Sequence, residues 1–359
     1  MIGDRILMTA DAVGGVWRYA VDLGGERRRR GLRVTVAVMG PPPSVQQRGE
    51  ARHAGIDVVD RPYRLEWMDD PWVDVERAGQ WLLDVARQIN PSLINVNGYA
   101  HAALPWGAPV TVVAHSCVRT WWKAVRQEPA PASVNRYSTA VDAGLAAADA
   151  VVAPTKAMGA ALASEYATRR AVRVIPNGSY VPATEPQRIP RKEPFVLAAG
   201  RMWDEAKNIK ALCAIASAID WPIYVAGDAR GPAGQLCEVS NVHLLGRLPA
   251  ASLASWYRRA AIYALPARYE PFGLSVLEAA AAGCALVLGD IPSLRENWDG
   301  AARFVAPDDH DRLAAALRGL IAHRAARADL ARRAAERAEM FTIDRTAESY
   351  LQLYQSLLT

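Results

Sequence analysis

Two glutamates, Glu270 and Glu278, stand eight positions apart on either side of a turn that contains Gly273. The apolar segment 261–265 before them is typical of a buried strand, and the run 274–282 after the turn is typical of a helix. The first turn of a helix has free N–H groups and a positive dipole end, which suit a phosphate, and glycine lets a ligand approach the backbone. The pattern therefore favours a site where one carboxylate contacts a sugar, the other contacts a ribose, and the amides between them bind a diphosphate. An amphipathic helix with two solvated glutamates is the alternative.

Two cations, Arg201 and Lys207, follow another apolar segment, 195–199. A diphosphate that leaves during a reaction must be stabilised, either by a metal ion or by fixed cations and dipoles. We expect Arg201 and Lys207 to supply the fixed cations, together with the backbone amides around Gly273. A solvated pair of loop residues is the alternative.

No metal site and no cofactor are predicted. The literal Asp-x-Asp sequence, Asp309-His310-Asp311, directly precedes the helical stretch 312–323, so helix capping accounts for it. The four cysteines are far apart and have no zinc-ligand spacing. They are expected to be reduced residues in or near the core.

Short apolar strands alternate with helical stretches along the whole chain, which predicts an α/β fold with parallel sheets flanked by helices. The predicted strands of the first half are 5–9, 34–38, 56–59, 93–96, 110–114, 150–153 and 172–175. Those of the second half are 195–199, 223–226, 242–245, 261–265, 285–288 and 303–305. At 359 residues the chain fits two domains of ordinary size.

The domain boundary is predicted where residues 176–194 carry five prolines and little apolar periodicity. We expect one Rossmann-like domain at 1–180, a linker at 181–194 and a second Rossmann-like domain at 195–341. The last helix, 342–359, has an apolar face formed by Ala347, Tyr350, Leu351, Tyr354 and Leu357. Ligands in such sheets bind beyond the carboxyl ends of the strands, so the candidate residues that follow strand ends are expected to converge on one cleft between the two sheets.

Several segments resemble one family in order and spacing. Glu-x7-Glu around Pro-Phe-Gly is similar to the signature of the retaining, nucleotide-sugar-dependent glycosyltransferases of family 4. Gly14-Gly15 after the first strand resembles the family's first glycine loop, His115 ends strand 110–114 as the family histidine does, and 174–178 resembles the segment before the interdomain linker. Residues 200–208 resemble the family's Gly-Arg-Leu…Glu-Lys loop, with one residue, Ala206, inserted before the lysine.

The resemblance implies two Rossmann-like domains facing each other across a cleft (the GT-B arrangement), a final helix that crosses back to the first domain, and catalysis without a metal. It also implies that the N-terminal domain, 1–180, is the acceptor side and that the C-terminal domain, 195–341, binds the nucleotide sugar. It implies catalytic positions for Glu270, which bonds donor-sugar hydroxyls, and His115, which donates to one of them. Glu270 acts as a nucleophile or an orienting group; a front-face reaction assisted by the leaving phosphate is our preference. The remaining donor-binding positions implied are Gly14, Gly15, Arg201, Lys207, Arg247, Leu248, Phe272, Gly273, Leu274 and Glu278.

Eleven tryptophans are many for this length. Trp67 and Trp72 flank two aspartates, and Trp121 and Trp122 follow His115 closely. Flat aromatic faces with polar neighbours suit a sugar ring or an apolar aglycone. These four are therefore candidate acceptor residues in loops of the first domain, with core packing as the alternative.

The formal charge of +5 and the pI near 9.1 raise the question of an anionic partner. No nucleic-acid motif accompanies the charge, so no nucleic-acid partner is predicted. The basic clusters 27–30 and 324–337 are interpreted as solvated helix faces, with weak peripheral attraction to an anionic membrane surface as the alternative. The absence of a signal-peptide pattern and the dispersed cysteines predict a cytoplasmic location.

Together these features predict transfer of a hexosyl group from a nucleotide diphosphate sugar, UDP before GDP, to a hydroxyl-bearing acceptor. The acceptor class stays open among a small molecule, a glycan and a lipid-linked molecule. A sugar-nucleotide epimerase on the same architecture and a non-catalytic nucleotide-sugar-binding protein are the alternatives. A dinucleotide-dependent oxidoreductase is disfavoured because no Gly-x-Gly-x-x-Gly follows the first strand.

Overall fold

The computed structural model describes residues 4–180, 192–231, 234 and 236–358. The chain divides into two compact units: unit 1 is Met1–Gly178 with Ile343–Thr359, and unit 2 is Ser179–Thr342. Of the predicted linker 181–194, residues 181–191 lie outside the described part of the chain, and Glu193 already belongs to the first strand of unit 2.

Unit 1 is built on a parallel seven-stranded sheet in the order β3-β2-β1-β4-β5-β6-β7. Its strands are β1 (Arg5–Asp11), β2 (Arg33–Met39), β3 (Asp57–Asp60), β4 (Leu93–Val96), β5 (Val110–Val113), β6 (Ala150–Ala153) and β7 (Arg173–Val174). Central strands such as β4 and β5 are buried at every residue, because helices cover both faces of the sheet. The strand order reverses between β1 and β4, which is the switch point where ligands bind in doubly wound sheets.

Six helices of unit 1 alternate with these strands: α1 (Gly15–Arg29), α2 (Val45–His53), α3 (Trp72–Ile89), α4 (Val118–Arg126), α5 (Asn135–Ala147) and α6 (Lys156–Glu165). Short 3-10 turns lie at Ala100–Ala103 and Ala132–Val134. Helix α1 begins at the second residue of the glycine pair, just after β1, so its N-terminus lies at the carboxyl edge of the sheet.

Unit 2 repeats the architecture with a parallel six-stranded sheet in the order β10-β9-β8-β11-β12-β13. Its strands are β8 (Glu193–Ala199), β9 (Ile223–Ala226), β10 (His243–Gly246), β11 (Ala260–Leu265), β12 (Ala285–Gly289) and β13 (Arg303–Val305). Its helices are α7 (Ile209–Ile215), α8 (Ala250–Arg259), α9 (Leu274–Ala281), α10 (Pro292–Trp298), α11 (His310–Ala322) and α12 (Arg324–Ala338), with 3-10 turns at Glu205–Lys207 and Ala216–Ala218. Separate apolar clusters cover the two faces of this sheet. The predicted fold class is therefore confirmed as two parallel α/β domains.

The last helix, α13 (Ile343–Leu358), belongs to unit 1 and packs on α1. Its buried face contains Tyr350 and Tyr354 as expected, but Leu353 lies inside and Leu351 is half-buried, the reverse of the prediction. The Tyr350 hydroxyl lies 2.6 Å from the Tyr19 hydroxyl of α1. Among the described helices, none is both long enough and apolar enough to cross a bilayer.

The interpretation of residues 27–30 as a solvated face is wrong for Arg27, which is fully buried. Its guanidinium donates to the Tyr354 hydroxyl and lies 5.1 and 4.7 Å from the ring centroids of Tyr350 and Tyr354. Arg30 pairs with Glu26 and with Glu348 of α13. The basic run thus fastens α13 to α1, which leaves less cationic surface for a membrane.

Candidate functional site

The carboxyl ends of three strands of unit 2 are tied together by backbone hydrogen bonds. The N–H of Gly200, after β8, donates to Ala226 O at 2.9 Å, and the N–H of Gly227, after β9, donates to Gly246 O at 2.9 Å. A Cβ on Gly227 would lie 1.8 Å from Gly200 O, and the Gly227 φ is +145°. Only glycine fits there, because a side chain would push the two loops apart.

The loop that carries Lys207 is anchored at both ends. Asp204 accepts the N–H of Ala206 at 3.1 Å, and the Asn208 side chain donates to Pro266 O at 2.9 Å and Pro307 O at 2.7 Å. The inserted Ala206 is buried, and its carbonyl accepts the N–H of Arg268 at 2.8 Å. The insertion is therefore absorbed inside the loop.

Lys207 and Glu270 form a direct ion pair, with Nζ 2.5 Å from Oε2. Both side chains are largely buried, at 15% and 13% exposure. The insertion of Ala206 thus does not carry Lys207 away from the glutamate. A pair with this little exposure is screened far less by solvent than a surface salt bridge is.

The other carboxylate oxygen of Glu270 caps the turn before α9. Its Oε1 accepts the N–H of Gly273 at 2.9 Å and that of Phe272 at 3.4 Å. We expected these amides to face a diphosphate, whereas here two of them donate to Glu270 itself. Helix α9 begins at Leu274, and the N–H groups of its first turn have no acceptor within the helix because no helical turn precedes them. Gly273 has φ +91°, so this turn also favours glycine.

Two side chains of helix α10 donate hydrogen bonds to carbonyls of the same turn. The Ser293 hydroxyl donates to Glu270 O at 2.5 Å, and the Asn297 side chain donates to Phe272 O at 3.2 Å. Sequence reasoning missed both residues, because they lie about one helix further along the chain and match no part of the motif.

Glu278 lies on the next turn of α9, half-buried beside Tyr257. Burial, followed by the nearby Glu278 carboxylate, raises the pKa of the Tyr257 hydroxyl. Glu270 precedes α9 and Glu278 lies on it, so the N-terminus of α9 is between the two carboxylates.

The other predicted donor residues of unit 2 have different neighbours. The guanidinium of Arg201 lies 2.8 Å from Asp204 and 5.2 Å from the Trp203 ring centroid. Arg247 is exposed after β10, whereas Leu248 is half-buried against the core. Lys207 thus pairs with Glu270, whereas Arg201 pairs with Asp204 within its own loop.

Asp309 of the Asp-x-Asp sequence is the N-cap of α11. Its carboxylate accepts the N–H of Arg312 at 2.9 Å. The interpretation of this sequence as a helix cap is confirmed.

In unit 1, Gly14 and Gly15 follow β1, and His115 follows β5, at the same edge of the sheet. Gly14 is the N-cap of α1, which begins at Gly15. The His115 Nε2 lies 3.0 Å from Asn97 Oδ1, and Asn97 follows β4. The ring of Tyr19 meets His115 edge-on at 4.5 Å between centroids.

Burial lowers the pKa of His115 to about 3, so the imidazole is neutral near pH 7. Because the side-chain N–H of Asn97 donates to Thr9 O at 2.6 Å, its Oδ1 faces the histidine as an acceptor. His115 therefore donates its Nε2–H to Asn97 Oδ1, and the other ring nitrogen, Nδ1, is an acceptor. The expectation that His115 donates to a sugar hydroxyl does not fit this geometry, which suits acceptance instead.

The tryptophans fall into separate places of unit 1. Trp67 is exposed in a turn, whereas Trp72 is the first residue of α3 and lies 4.8 Å from the Arg136 guanidinium. Trp121 and Trp122 lie in α4, not in a loop, and meet edge to face at 5.9 Å. The prediction that all four tryptophans lie in loops is therefore wrong for Trp72, Trp121 and Trp122, which are helical.

Two family models match the chain. The model described as "Glycosyltransferase Family 4" matches residues 13–179, and the one described as "Glycosyl transferases group 1" matches residues 193–323. The first lies in unit 1 up to its last strand, and the second covers most of unit 2.

Relatives are similar over part or most of the chain. A phosphatidyl-myo-inositol mannosyltransferase of Mycolicibacterium smegmatis is 32% identical over 200 residues, which is 51% of each chain, so the match spans about half the length of that relative. A D-inositol 3-phosphate glycosyltransferase of Xylanimonas cellulosilytica is 26% identical over 96% of this chain and 92% of its own.

Solved structures share the fold over nearly the full length. Sucrose-phosphate synthase from Thermosynechococcus elongatus superposes with a TM-score of 0.81 at 20% identity, covering 99% of both chains. Anabaena HepE in complex with UDP and glucose gives 0.75 at 16% identity, covering 99% of this chain and 100% of its own. With the two family models following each other along both units, the chain belongs to the family 4 glycosyltransferases and has their two-domain GT-B fold.

Proposed function

We propose that this protein transfers a hexosyl group from a nucleotide diphosphate sugar to an acceptor hydroxyl, with retention at the anomeric carbon and without a metal ion. The observation that carries the proposal is the Lys207–Glu270 pair at the N-terminus of α9. It places a cation, a carboxylate and free backbone amides together, which is what binding a sugar and its departing diphosphate requires.

Donor binding must rearrange this pair. The Glu270 carboxylate now holds the Lys207 ammonium and two amides, the partners that an incoming diphosphate needs. A diphosphate that binds Lys207 releases one carboxylate oxygen, which then accepts a hydroxyl of the sugar. Before the donor binds, the Glu270 carboxylate thus occupies the place of the diphosphate as the anionic partner of Lys207 and the two amides.

UDP is the preferred nucleotide and GDP the next. The structure of HepE contains UDP and glucose, which supports UDP, and the mannosyltransferase relative supports a hexosyl group. Two relatives carry inositol in the names of their activities, so inositol-bearing small molecules and lipids are the first acceptors to test.

The test is incubation with UDP- and GDP-sugars and a panel of inositol-containing and glycan acceptors, followed by mass spectrometry. Glycoside and free nucleoside diphosphate are expected in equal amounts, and proton NMR of the glycoside should show the donor's anomeric configuration. An epimerised nucleotide sugar without nucleotide release would support the epimerase alternative. Donor binding without any conversion would support the binding protein.

Glu278→Gln is expected to weaken nucleotide binding. A carboxylate that accepts both ribose hydroxyls contributes roughly 1–3 kcal/mol more than a neutral partner. Calorimetry with the free nucleoside diphosphate should show that loss, with Glu339→Gln at the exposed end of α12 as the matched control. Equal affinities of the two variants would remove Glu278 from the site.

Trp67→Ala is expected to raise the acceptor KM and to spare donor affinity. Trp67 is 39% exposed, so its loss should change stability by only about 0.5 kcal/mol, while stacking is worth roughly 0.5–1.5 kcal/mol. Trp298→Ala, at a fully buried residue, is the stability reference and should cost about 3–5 kcal/mol. Acceptor kinetics unchanged from wild type would place Trp67 outside the acceptor site.

A further inference from the structure

One edge of the His115 ring is held by the side chain of Asn97. Asn97 is fixed by two contacts to Thr9: its side-chain N–H donates to Thr9 O at 2.6 Å, and its backbone N–H donates to Thr9 Oγ1 at 2.9 Å. These contacts leave only Oδ1 to face His115, at 3.0 Å from Nε2. The amide orientation therefore determines which ring nitrogen carries the proton.

The ring of His115 also contacts the ring of Tyr19, and Tyr19 is held by the last helix. The two rings stand at 73° to each other, and the Tyr19 hydroxyl bonds the Tyr350 hydroxyl at 2.6 Å. All of these residues belong to unit 1. Residues 331 positions apart thus cooperate in fixing one imidazole plane.

The last helix is also connected to the ring edge that faces Asn97. The Tyr354 hydroxyl donates to Asn95 Oδ1 at 2.6 Å, and the Asn95 side-chain N–H lies 3.4 Å from Asn97 Oδ1. Arg27 contacts both Tyr354 and Asn95. Asn97 is therefore at the end of a buried polar chain that begins in α13.

We propose that Asn97 and Tyr19 are positioning residues for His115: Asn97 fixes the neutral Nε2–H tautomer, and Tyr19, supported by Tyr350, fixes the ring plane. His115 then presents Nδ1 as a hydrogen-bond acceptor. That this acceptor takes a hydroxyl of the donor sugar rests on the proposed function. The tautomer itself does not, so the two claims are tested separately.

The tautomer is read by NMR of the full chain labelled with ¹⁵N-histidine, without substrate, at neutral pH. His101 is an internal reference, because its Nε2 lies 3.0 Å from the carbonyl of Val75 and must donate to it. His115, assigned with a His115→Gln sample, is expected to show the same Nε2–H pattern as His101. An Nδ1–H pattern or a charged ring at pH 7 would overturn the proposal.

Asn97→Asp tests the control exerted by Asn97. A carboxylate against Nε2–H stabilises the imidazolium, so His115 is expected to begin titrating at about pH 6–7 while His101 does not change. The other ionisable groups around the ring are the phenols of Tyr19, Tyr350 and Tyr354, whose pKa values burial raises, and the guanidinium of Arg27. A His115 signal that stays identical to wild type would exclude Asn97 as the controlling residue.

Kinetics connect the tautomer to transfer. In Asn97→Asp, kcat/KM at pH 6 should fall roughly two- to ten-fold relative to pH 8, whereas the wild-type ratio should stay near one. Tyr350→Phe, which keeps the packing and removes only the hydroxyl, should lower kcat several-fold, while Tm falls by only a few degrees because the buried Tyr19 hydroxyl loses one partner. If both variants match wild type in every kinetic measurement, the positioning role is wrong; if wild type transfers no sugar at all, the proposed function fails while the NMR result stands.

Discussion

Lys207→Met is expected to lower turnover by on the order of 10²-fold or more, the loss typical for removing one preorganised donor at a developing charge. The ammonium lies 2.5 Å from Glu270 and is 15% exposed, so little solvent competes with it. In the proposed reaction, negative charge grows on the diphosphate as the glycosidic bond breaks, and we expect Lys207 to stabilise that charge more than it stabilises the bound donor. Steady-state kinetics should show a fall in kcat larger than the rise in donor KM.

Two variants serve as comparisons for this result. Lys210→Met removes a lysine from the exposed side of α7 and should leave kcat unchanged. Arg201→Met removes a cation that is paired with Asp204, so its loss should be smaller than that of Lys207. Equal losses for Arg201→Met and Lys207→Met would show that the ion pair with Glu270 does not identify the main cation.

Gly227→Ala is expected to destabilise unit 2 by about 3–5 kcal/mol, at the upper end for single substitutions. The new methyl carbon would lie 1.8 Å from Gly200 O, so either the β8 loop or the β9 loop must move. The β8 loop is joined to β9 and the β9 loop to β10 by hydrogen bonds, which spreads the disturbance over three strand ends. Thermal melts should show a decrease in Tm of about 10 °C, given that 1 kcal/mol corresponds to roughly 2–4 °C for a unit of this size.

Gly246→Ala is the matched control at the neighbouring strand end. Gly246 has φ +65°, but no described atom lies within 4 Å of the position its Cβ would occupy. Its cost is therefore only the left-handed conformation, about 1–2 kcal/mol. If the two variants have the same Tm, steric conflict with Gly200 is not the reason that position 227 requires glycine.

The sheets were predictable because each strand is a short apolar run between turn residues. All thirteen predicted strands are present in the described residues, and β4, β6, β9 and β13 agree at both ends. Local periodicity suffices for a parallel sheet, since its strands are buried on both faces and need no partner information.

Long-range contacts were not predictable in the same way. Arg27 stands in a run of four arginines that resembles a solvated face, and only a helix more than 300 residues later buries it. The amides around Gly273 were correctly placed at a helix N-terminus, but their present acceptor, Glu270, depends on the loop geometry. Asn97 carried one signal, the Asn-x-Asn sequence at the end of β4, which gains meaning only when Thr9 and His115 are beside it.

The return of α13 to unit 1 also sets an order of events during synthesis on the ribosome. Unit 2 is encoded entirely between the two parts of unit 1, so all of its strands leave the exit tunnel before α13 does. Until then, Arg27 and Tyr19 lack the tyrosines that enclose them. The usual N-terminal-first sequence of domain folding is thus inverted: the domain that begins first is completed last.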